Sequence, residues 1–503
     1  MTRVVDRLLD HITMYRLVLY YLVALVAAAF VFGFFKVLPH DPTNLGFSTV
    51  LTLAVCWITN RAFARVFGVP ANVESVYITG LILALILNPV APVDGKGIGA
   101  LIFASLWAMA SKFIFALGRK HLFNPAAFGV VVSGLLLDSP ATWWVGGNLP
   151  LLPLVLFGGF LIVRKLQRFD LVAAFILADL VTVLATTVPS AYGTTLTETL
   201  LSSPLFFFAF VMLTEPLTAP PARWGRRMFG ALVGFLSAPN IHVGTFYLTP
   251  ELALLIGNLF AYAVSPKGRF ILSLERIEQS AADAYDFIFS SRGKLAFQPG
   301  QYLEWTLRLG RSDSRGNRRY FTVASAPTED SVRLGVKFYA ASSAFKRALA
   351  AMAPGDTIHA SQLAGEFTMP ADKNAKLAFL AGGIGITPFR SMLQYLLDRD
   401  EERPIVMLYG NERVEDIAYR AVLDAADREL GIRTIYAVAQ GAGAGDYRGF
   451  IDARLVRQAI PDYRERTFYI SGPQAMVKAL CRILRTMGVR RSRIKVDFFP
   501  GFA

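Results

Sequence analysis

The strongest constraint on this chain is an abrupt change of texture near residue 265. Up to about Val264, long apolar runs are separated by short polar connections. From about Arg269 onward, polar and apolar residues alternate and carry most of the charge. A helix needs roughly 20 apolar residues to cross a hydrocarbon core, fewer where it is broken or half-inserted. Over the whole chain, 54% hydrophobic and 17% charged residues, with a mean hydropathy of +0.44, exclude an ordinary soluble protein. The first segment, Met1 to Leu38, reads as an amphipathic lead-in and a retained span, because a long apolar run follows without a small-residue cleavage pattern.

Ten windows are candidate spans: Tyr15–Phe35, Phe47–Asn60, Val73–Asn88, Ile98–Leu117, Pro125–Leu137, Leu151–Val163, Leu171–Thr186, Pro204–Leu213, Met228–Ser237 and Leu252–Val264. The basic residues test that count. With the N-terminus inside, alternate connections carry Arg61/Arg65, Arg119/Lys120, Arg164/Lys165/Arg168, Arg223/Arg226/Arg227 and Lys267/Arg269. The others carry Asp41, Asp94 and Asp138, with only Lys36 and Lys96 as bases. This is the positive-inside pattern, and it places both termini in the cytoplasm. It also accounts for part of the net charge of +14 without nucleic acid, since no basic stripe with interleaved aromatics exists. Only Cys56 and Cys481 are present, so thiolate iron–sulfur or zinc sites within the chain are excluded and no metal site is expected.

Three segments place polar or helix-breaking residues at or near membrane depth: Asn88-Pro89, Asn124-Pro125 and Thr214-Glu215-Pro216. Two readings stand side by side. The breaks are helix ends at the interface, or they line a cavity in which an ionisable residue such as Glu215 has a function.

Beyond Phe270, five short alternating strands (Phe270–Ile277, Tyr285–Ser290, Gln301–Arg308, Arg319–Ala324, Val332–Phe338) predict a small antiparallel barrel. From about Lys376, strand and helix signals alternate, which predicts a parallel α/β sheet. Four motifs follow in order: Arg319-Tyr320-Phe321-Thr322, then Ser342-Ser343 opening a helix-like run, then Gly382-Gly383-Ile384-Gly385-Ile386-Thr387-Pro388, then Ser471-Gly472-Pro473-Gln474-Ala475-Met476. A glycine-rich turn between strand and helix lets backbone approach a pyrophosphate closely.

On these motifs, residues from Phe270 to Ala503 resemble the ferredoxin–NADP reductase superfamily. The resemblance implies FAD and NADH or NADPH. It implies that Arg319 pairs with the FAD pyrophosphate, that Phe321 covers the flavin ring and that Thr322 bonds near its N5. Tyr320, Lys337, Ser342 and Ser343 join that cofactor set, and Gly382, Gly383, Gly385, Thr387, Pro388, Gly472, Pro473 and Met476 join it from the nucleotide side. Ser471 stands where relatives carry a cysteine near the nicotinamide, and Phe499 lies in the terminal segment that relatives place against the flavin. Ser471, Thr322 and Phe499 are therefore the expected catalytic positions; plain core remains the other reading for Phe498 or Phe499. Glu412 and Arg413 favour opposite nucleotides and leave the choice open.

The membrane half resembles the NqrB/RnfD family of redox-complex subunits from about Met14 to Val264. The resemblance rests on Thr79-Gly80-Leu81-Ile82-Leu83-Ala84-Leu85, Phe123-Asn124-Pro125-Ala126-Ala127-Phe128-Gly129 and Leu213-Thr214-Glu215-Pro216-Leu217-Thr218-Ala219-Pro220. It implies flavin sites lined by Asn124, Thr214 and Glu215. It also implies FMN attached to Thr195, in a segment that keeps Gly193 but lacks the family's Asp; a polar loop is the other reading. Histidine pairs on facing helices, which a transmembrane haem needs, are absent from the pattern.

The expected organisation is a membrane domain over 1–266, about ten helices, then an FAD barrel over 267–372 and an NAD(P) α/β domain over 373–503. The expected function is an inner-membrane oxidoreductase. It would carry electrons from cytoplasmic NAD(P)H through FAD to a membrane flavin, then to quinone or an extracytoplasmic acceptor. An ion-translocating complex with other redox subunits and a redox-gated transporter are the alternatives.

Overall fold

In a computed structural model the chain divides into two compact units, Met1–Lys267 and Gly268–Ala503, each taken here by itself. The structure describes residue 9 and residues 12–497, apart from 68–72, 118–119, 266–268, 292, 294, 308, 310–316, 340–341, 442 and 444–446.

The first unit is helical: α1 (Met14–Phe34), α2 (Pro42–Val66), α3 (Val73–Ile86), α4 (Gly95–Ile114), α5 (Pro125–Leu137), α6 (Leu152–Leu166), α7 (Phe169–Thr186), α8 (Tyr192–Leu201), α9 (Arg223–Ser237) and α10 (Pro250–Val264). A short helix, Leu205–Phe207, runs into a π-turn at Phe208–Met212 between α8 and α9. All ten predicted windows hold helix, and the helices differ in length. Only α1, α2, α4 and α7 are long and apolar enough to cross a membrane among the described residues, and the bent pair Pro189–Leu201 with Leu205–Met212 is a fifth candidate. The physical reason is length. Helices of 13 to 15 residues such as α5, α6, α9 and α10 reach about 20–22 Å, short of a core about 30 Å thick.

Of the three polar breaks, Asn124-Pro125 is a helix start, whereas Asn88-Pro89 follows the end of α3 and Thr214-Glu215-Pro216 lies in the turn after the π-turn. Asp41 caps α2, its carboxylate accepting from Thr43 N at 2.7 Å and Asn44 N at 3.3 Å, with Pro42 as the first helical residue. Asn124 caps α5 in the same way, accepting from Ala127 N at 3.1 Å ahead of Pro125. Proline is tolerated there because its missing N–H would be unpaired anyway. Small residues let the helices close up. A Cβ at Gly234 of α9 would stand 2.3 Å from the carbonyl oxygen of Phe175 on α7, and one at Gly129 of α5 would stand 2.3 Å from that of Ala104 on α4.

The second unit begins with a six-stranded antiparallel sheet: β1 (Arg269–Ala281), β2 (Ala284–Ser291), β3 (Tyr302–Thr306), β4 (Arg318–Thr322), β5 (Val332–Lys337) and β6 (Thr357–Ala364), in the order β4-β3-β6-β1-β2-β5. Helix α11 (Ala344–Ala350) packs Phe345 and Leu349 into a core with Leu272, Phe287, Phe289, Trp305 and Leu334. β6 was not among the predicted strands, yet it lies between β3 and β1. Its buried side carries two alanines and a glutamine beside Ile358 (Ala360, Gln362, Ala364), so its alternation is weak in hydropathy although clear in space.

A parallel sheet follows: β7 (Leu377–Gly382), β8 (Ile405–Asn411), β9 (Thr434–Val438), β10 (Tyr447–Arg448), β11 (Thr467–Ser471) and β12 (Ile494–Val496), in the order β10-β9-β8-β7-β11-β12. Helices α12 (Thr387–Leu397), α13 (Arg420–Leu430), α14 (Ala453–Ala459) and α15 (Gln474–Thr486) accompany it. β7 is buried along its whole length, as a central parallel strand covered on both faces must be.

Candidate active site

The carboxyl ends of β7 and β11 stop side by side, because Ala381 registers with Ser471 across the parallel ladder. The glycine-rich turn Gly383–Ile386 leaves β7 there and runs straight into α12. One close approach requires glycine: a Cβ at Gly385 would stand 2.5 Å from Gly472 Cα, whereas at Gly382 it would meet only the flexible end of Met476, Sδ at 2.3 Å. Gly383 has φ +49°, a conformation glycine adopts without strain, and nothing lies within 4 Å of where its Cβ would be. A glycine-rich turn of this kind, between strand and helix, lets backbone approach a pyrophosphate closely. Pro388 stands in the first turn of α12, and Thr387 Oγ1 donates to Ile384 O at 3.2 Å. Pro473 precedes α15 and Met476 lies in its first turn.

At the same place the antiparallel sheet delivers Thr322, the last residue of β4. Asp497, one residue past β12, brings a carboxylate between the two sheets. Ser471 Oγ donates to Asp497 Oδ2 at 3.2 Å, and Thr322 Oγ1 donates to the same oxygen at 3.5 Å. Desolvation outweighs these two long bonds and pushes the Asp497 carboxyl from 3.8 up to about 7. The sequence reading put Ser471 and Thr322 in the catalytic set but passed over Asp497 for Phe499. A lone acid in a tail has no local signal; only its return to the β4 and β11 ends gives it one. Phe499 lies outside the described residues.

Along β4, alternation divides the flavin motif between two faces. Arg319 and Phe321 turn toward Phe345, with the guanidinium 5.4 Å and the Phe321 ring 6.0 Å from that ring. Tyr320 turns the other way and donates to Glu304 Oε2 at 2.8 Å. Ser343 Oγ caps α11 by accepting from Lys346 N at 3.2 Å, Ser342 Oγ donates to Tyr339 O at 2.6 Å, and Lys337 Nζ holds Asp416 at 2.8 Å. Arg319, buried beside an aromatic ring at the edge of the sheet, suits a phosphate, which its planar fork matches.

The membrane unit gathers a second polar centre. The Glu215 carboxylate accepts from His121 Nε2 at 3.0 Å, Asn124 Nδ2 at 2.9 Å and Thr218 Oγ1 at 3.1 Å. Asn258 on α10 accepts from Asn124 N at 2.8 Å and donates to Thr218 O at 3.2 Å. Lys112 on α4 donates to Ser75 O, Ser75 Oγ and Thr79 Oγ1 at 3.0–3.2 Å. Two predicted motifs therefore meet through Asn124 and Glu215. Thr214 is buried, and its Oγ1 donates to Phe210 O at 2.7 Å. Thr195 is not brought to this centre by any contact among the described residues. The polar loop expected as its alternative is instead helix α8, where Thr195 is half-buried and its carbonyl accepts from Thr199 Oγ1 at 2.8 Å. No group of three or more His, Cys, Asp or Glu suited to a metal occurs among the described residues.

Comparison with known proteins adds two family matches. Residues 137–266 match the NQR2, RnfD, RnfE family, and residues 379–482 match the oxidoreductase NAD-binding domain. A flavohemoprotein of Pseudomonas putida is 28% identical over 232 residues, 45% of this chain and 58% of that protein. The glycine betaine monooxygenase reductase subunit of Pseudomonas aeruginosa is 24% identical over 242 residues, 46% of this chain and 64% of that one. The chain thus spans between half and two thirds of the length of these curated relatives. Among solved structures, a ferredoxin NADP+ reductase of Neisseria gonorrhoeae with bound FAD and NADP is 20% identical, with a TM-score of 0.40, over 46% of this chain and 98% of that chain.

Proposed function

We propose that this chain, an NQR2/RnfD/RnfE-type membrane region joined to a ferredoxin-reductase-like flavin and nicotinamide module, is a membrane-bound NAD(P)H oxidoreductase. It passes electrons through FAD to a flavin in the membrane unit, and from there to quinone or an acceptor on the far side. The observation that carries this reading is the convergence of Thr322, Ser471 and Asp497 beside the Gly382–Pro388 turn. Residues from the two sheets meet there, next to the glycine-rich turn.

In this reading Arg319 holds the FAD pyrophosphate, Phe321 lies against the ring and Thr322 meets its reactive edge. The turn from Gly382 to Pro388 and the Gly472-Pro473 corner hold the NAD(P)H pyrophosphate and nicotinamide, with Ser471 setting the ring position. Bound FAD would accept a hydride and release its electrons singly. Asp497, neutral over most of the range below pH 7, accepts from Ser471 and Thr322, fixes both hydroxyls and keeps a proton within reach.

The charge pattern supports an inner-membrane protein with both termini in the cytoplasm, the change of texture and the motifs support domains at 1–266, 267–372 and 373–503, and the resemblance to the NqrB/RnfD family supports FMN in the membrane unit, with Thr195 as the attachment site to test. A second reading, a subunit of an ion-translocating redox complex with further redox subunits, is favoured by the family region and by the Glu215 network between helix ends.

The test is flavin analysis of the purified protein before and after denaturation, with NADH and NADPH oxidation assayed alongside. Released FAD, retained FMN that disappears in Thr195→Ala, and nucleotide oxidation are expected. Flavin-free protein that oxidises neither nucleotide would sink the assignment. Ion dependence of turnover in sealed vesicles separates the two readings.

A further inference from the structure

Hydride transfer requires the nicotinamide turn and the flavin strand to be held in register, since an ångström of misplacement can cost a hundredfold in rate. One buried set of contacts joins these two elements directly. Arg390, three residues beyond Thr387 on α12, donates from Nη1 to Ala324 O at 3.1 Å, two residues beyond Thr322. The same guanidinium forks onto Glu329, Nη1 to Oε2 and Nη2 to Oε1, the latter at 2.9 Å. Glu329 Oε2 also accepts from Ala326 N, which closes the loop that follows β4. Its neighbour Ser391 is fully buried and donates from Oγ to Ser325 O at 2.7 Å.

We infer that Arg390, Glu329 and Ser391 are positioning residues: a clamp that sets the nucleotide turn against the flavin strand. The inference rests on the reductase reading above. Three observations separate this clamp from an ordinary ion pair between lobes. Its carbonyl acceptors, Ala324 and Ser325, lie two and three residues beyond Thr322, and its donors, Arg390 and Ser391, three and four beyond Thr387, so little chain is left to flex. Arg390 and Ser391, adjacent in sequence, reach adjacent carbonyls, Ala324 and Ser325, which fixes rotation as well as distance. The lobes are also at their closest nearby: a Cβ on Gly335 of β5 would stand 2.8 Å from Thr387 Cγ2 and 2.4 Å from the Tyr419 hydroxyl. A planar bidentate fork supplies direction that a lysine ammonium does not.

The test uses the full chain purified with its FAD, mixed rapidly with whichever of NADH or NADPH reduces the wild type, with flavin bleaching followed. Arg390→Lys and Glu329→Gln are expected to lower the saturating rate about ten- to a hundredfold, and Ser391→Ala severalfold. Flavin content and the half-saturating nucleotide concentration should move by less than about threefold, because the fork touches neither ligand. The flavin–nicotinamide charge-transfer absorbance should weaken in step with the rate. Unchanged saturating rates, or losses explained wholly by lost flavin or weakened nucleotide binding, overturn the clamp. If the Arg390 or Glu329 variants do not fold, Ser391→Ala decides alone, since it removes one hydroxyl, and an unchanged saturating rate overturns the proposal. A wild type whose bound FAD neither nucleotide reduces would overturn the reductase reading instead, and the clamp with it.

Discussion

Two carboxylates invite comparison, Glu215 in the membrane unit and Asp497 in the reductase unit. Glu215 is saturated: three side-chain donors lie at 2.9–3.1 Å, and their partners are in turn held by Asn258. Asp497 has two hydroxyl donors, at 3.2 and 3.5 Å, both on one oxygen, and its carboxyl is pushed up to about 7 by desolvation. A satisfied buried network fixes structure, whereas an under-satisfied acid at the meeting of two sheets is an arrangement kept for something other than stability. The first centre should therefore answer mutation with unfolding and the second with lost rate.

The largest effect should come from Glu215→Ala, which strands the donors of His121, Asn124 and Thr218. A loss of about 3 kcal/mol is expected, read as thermal unfolding in detergent. An unaltered melting temperature would end the contrast drawn here. Next comes Asp497→Asn, which should leave the fold intact and lower the saturating rate of flavin reduction about tenfold, or about 1.4 kcal/mol of barrier. Rapid-mixing absorbance measures it, and a wild-type rate would make Asp497 a bystander.

pH sharpens the same point. The folded carboxyl binds its proton up to about pH 7, and the ordinary group only to 3.8. The native state holds the extra proton in that window, so the Asp497 contribution to stability is fully present below 3.8. It is lost progressively as pH rises toward 7. The melting-temperature difference between Asp497→Asn and wild type should therefore grow with pH across the window and level off above it. A difference that is flat with pH would mean an ordinary carboxyl. The smallest effect is assigned to Ser471→Cys, which restores the more polarizable sulfur and should change the saturating rate by no more than about threefold.

The helical and reductase-like organisation of the two halves was largely legible in the linear chain. Apolar runs, alternating polarity and glycine-rich punctuation report on local structure, and local structure obeys local rules. The Asn124-Pro125 and Asp41-Pro42 helix starts are of that kind, since cap and proline act within one turn. The helix breaks left two readings open in sequence, and packing shows Asn124 serving as cap and as donor to Glu215 at once. β6 carries little hydropathy signal because its buried side mixes alanine and glutamine with Ile358, and the polar loop expected around Thr195 is a helix.

What the sequence determined alone was which stretches bury themselves, in lipid or in protein, and where strands hand over to helices. Tertiary structure alone decided that Asp497 returns to Ser471 and Thr322, and that Arg390 reaches past its own helix to Ala324. The physical reason is range. Hydropathy and capping act over a few residues, whereas a carboxylate 175 residues from its hydroxyl partner is placed only by the stacking of whole sheets.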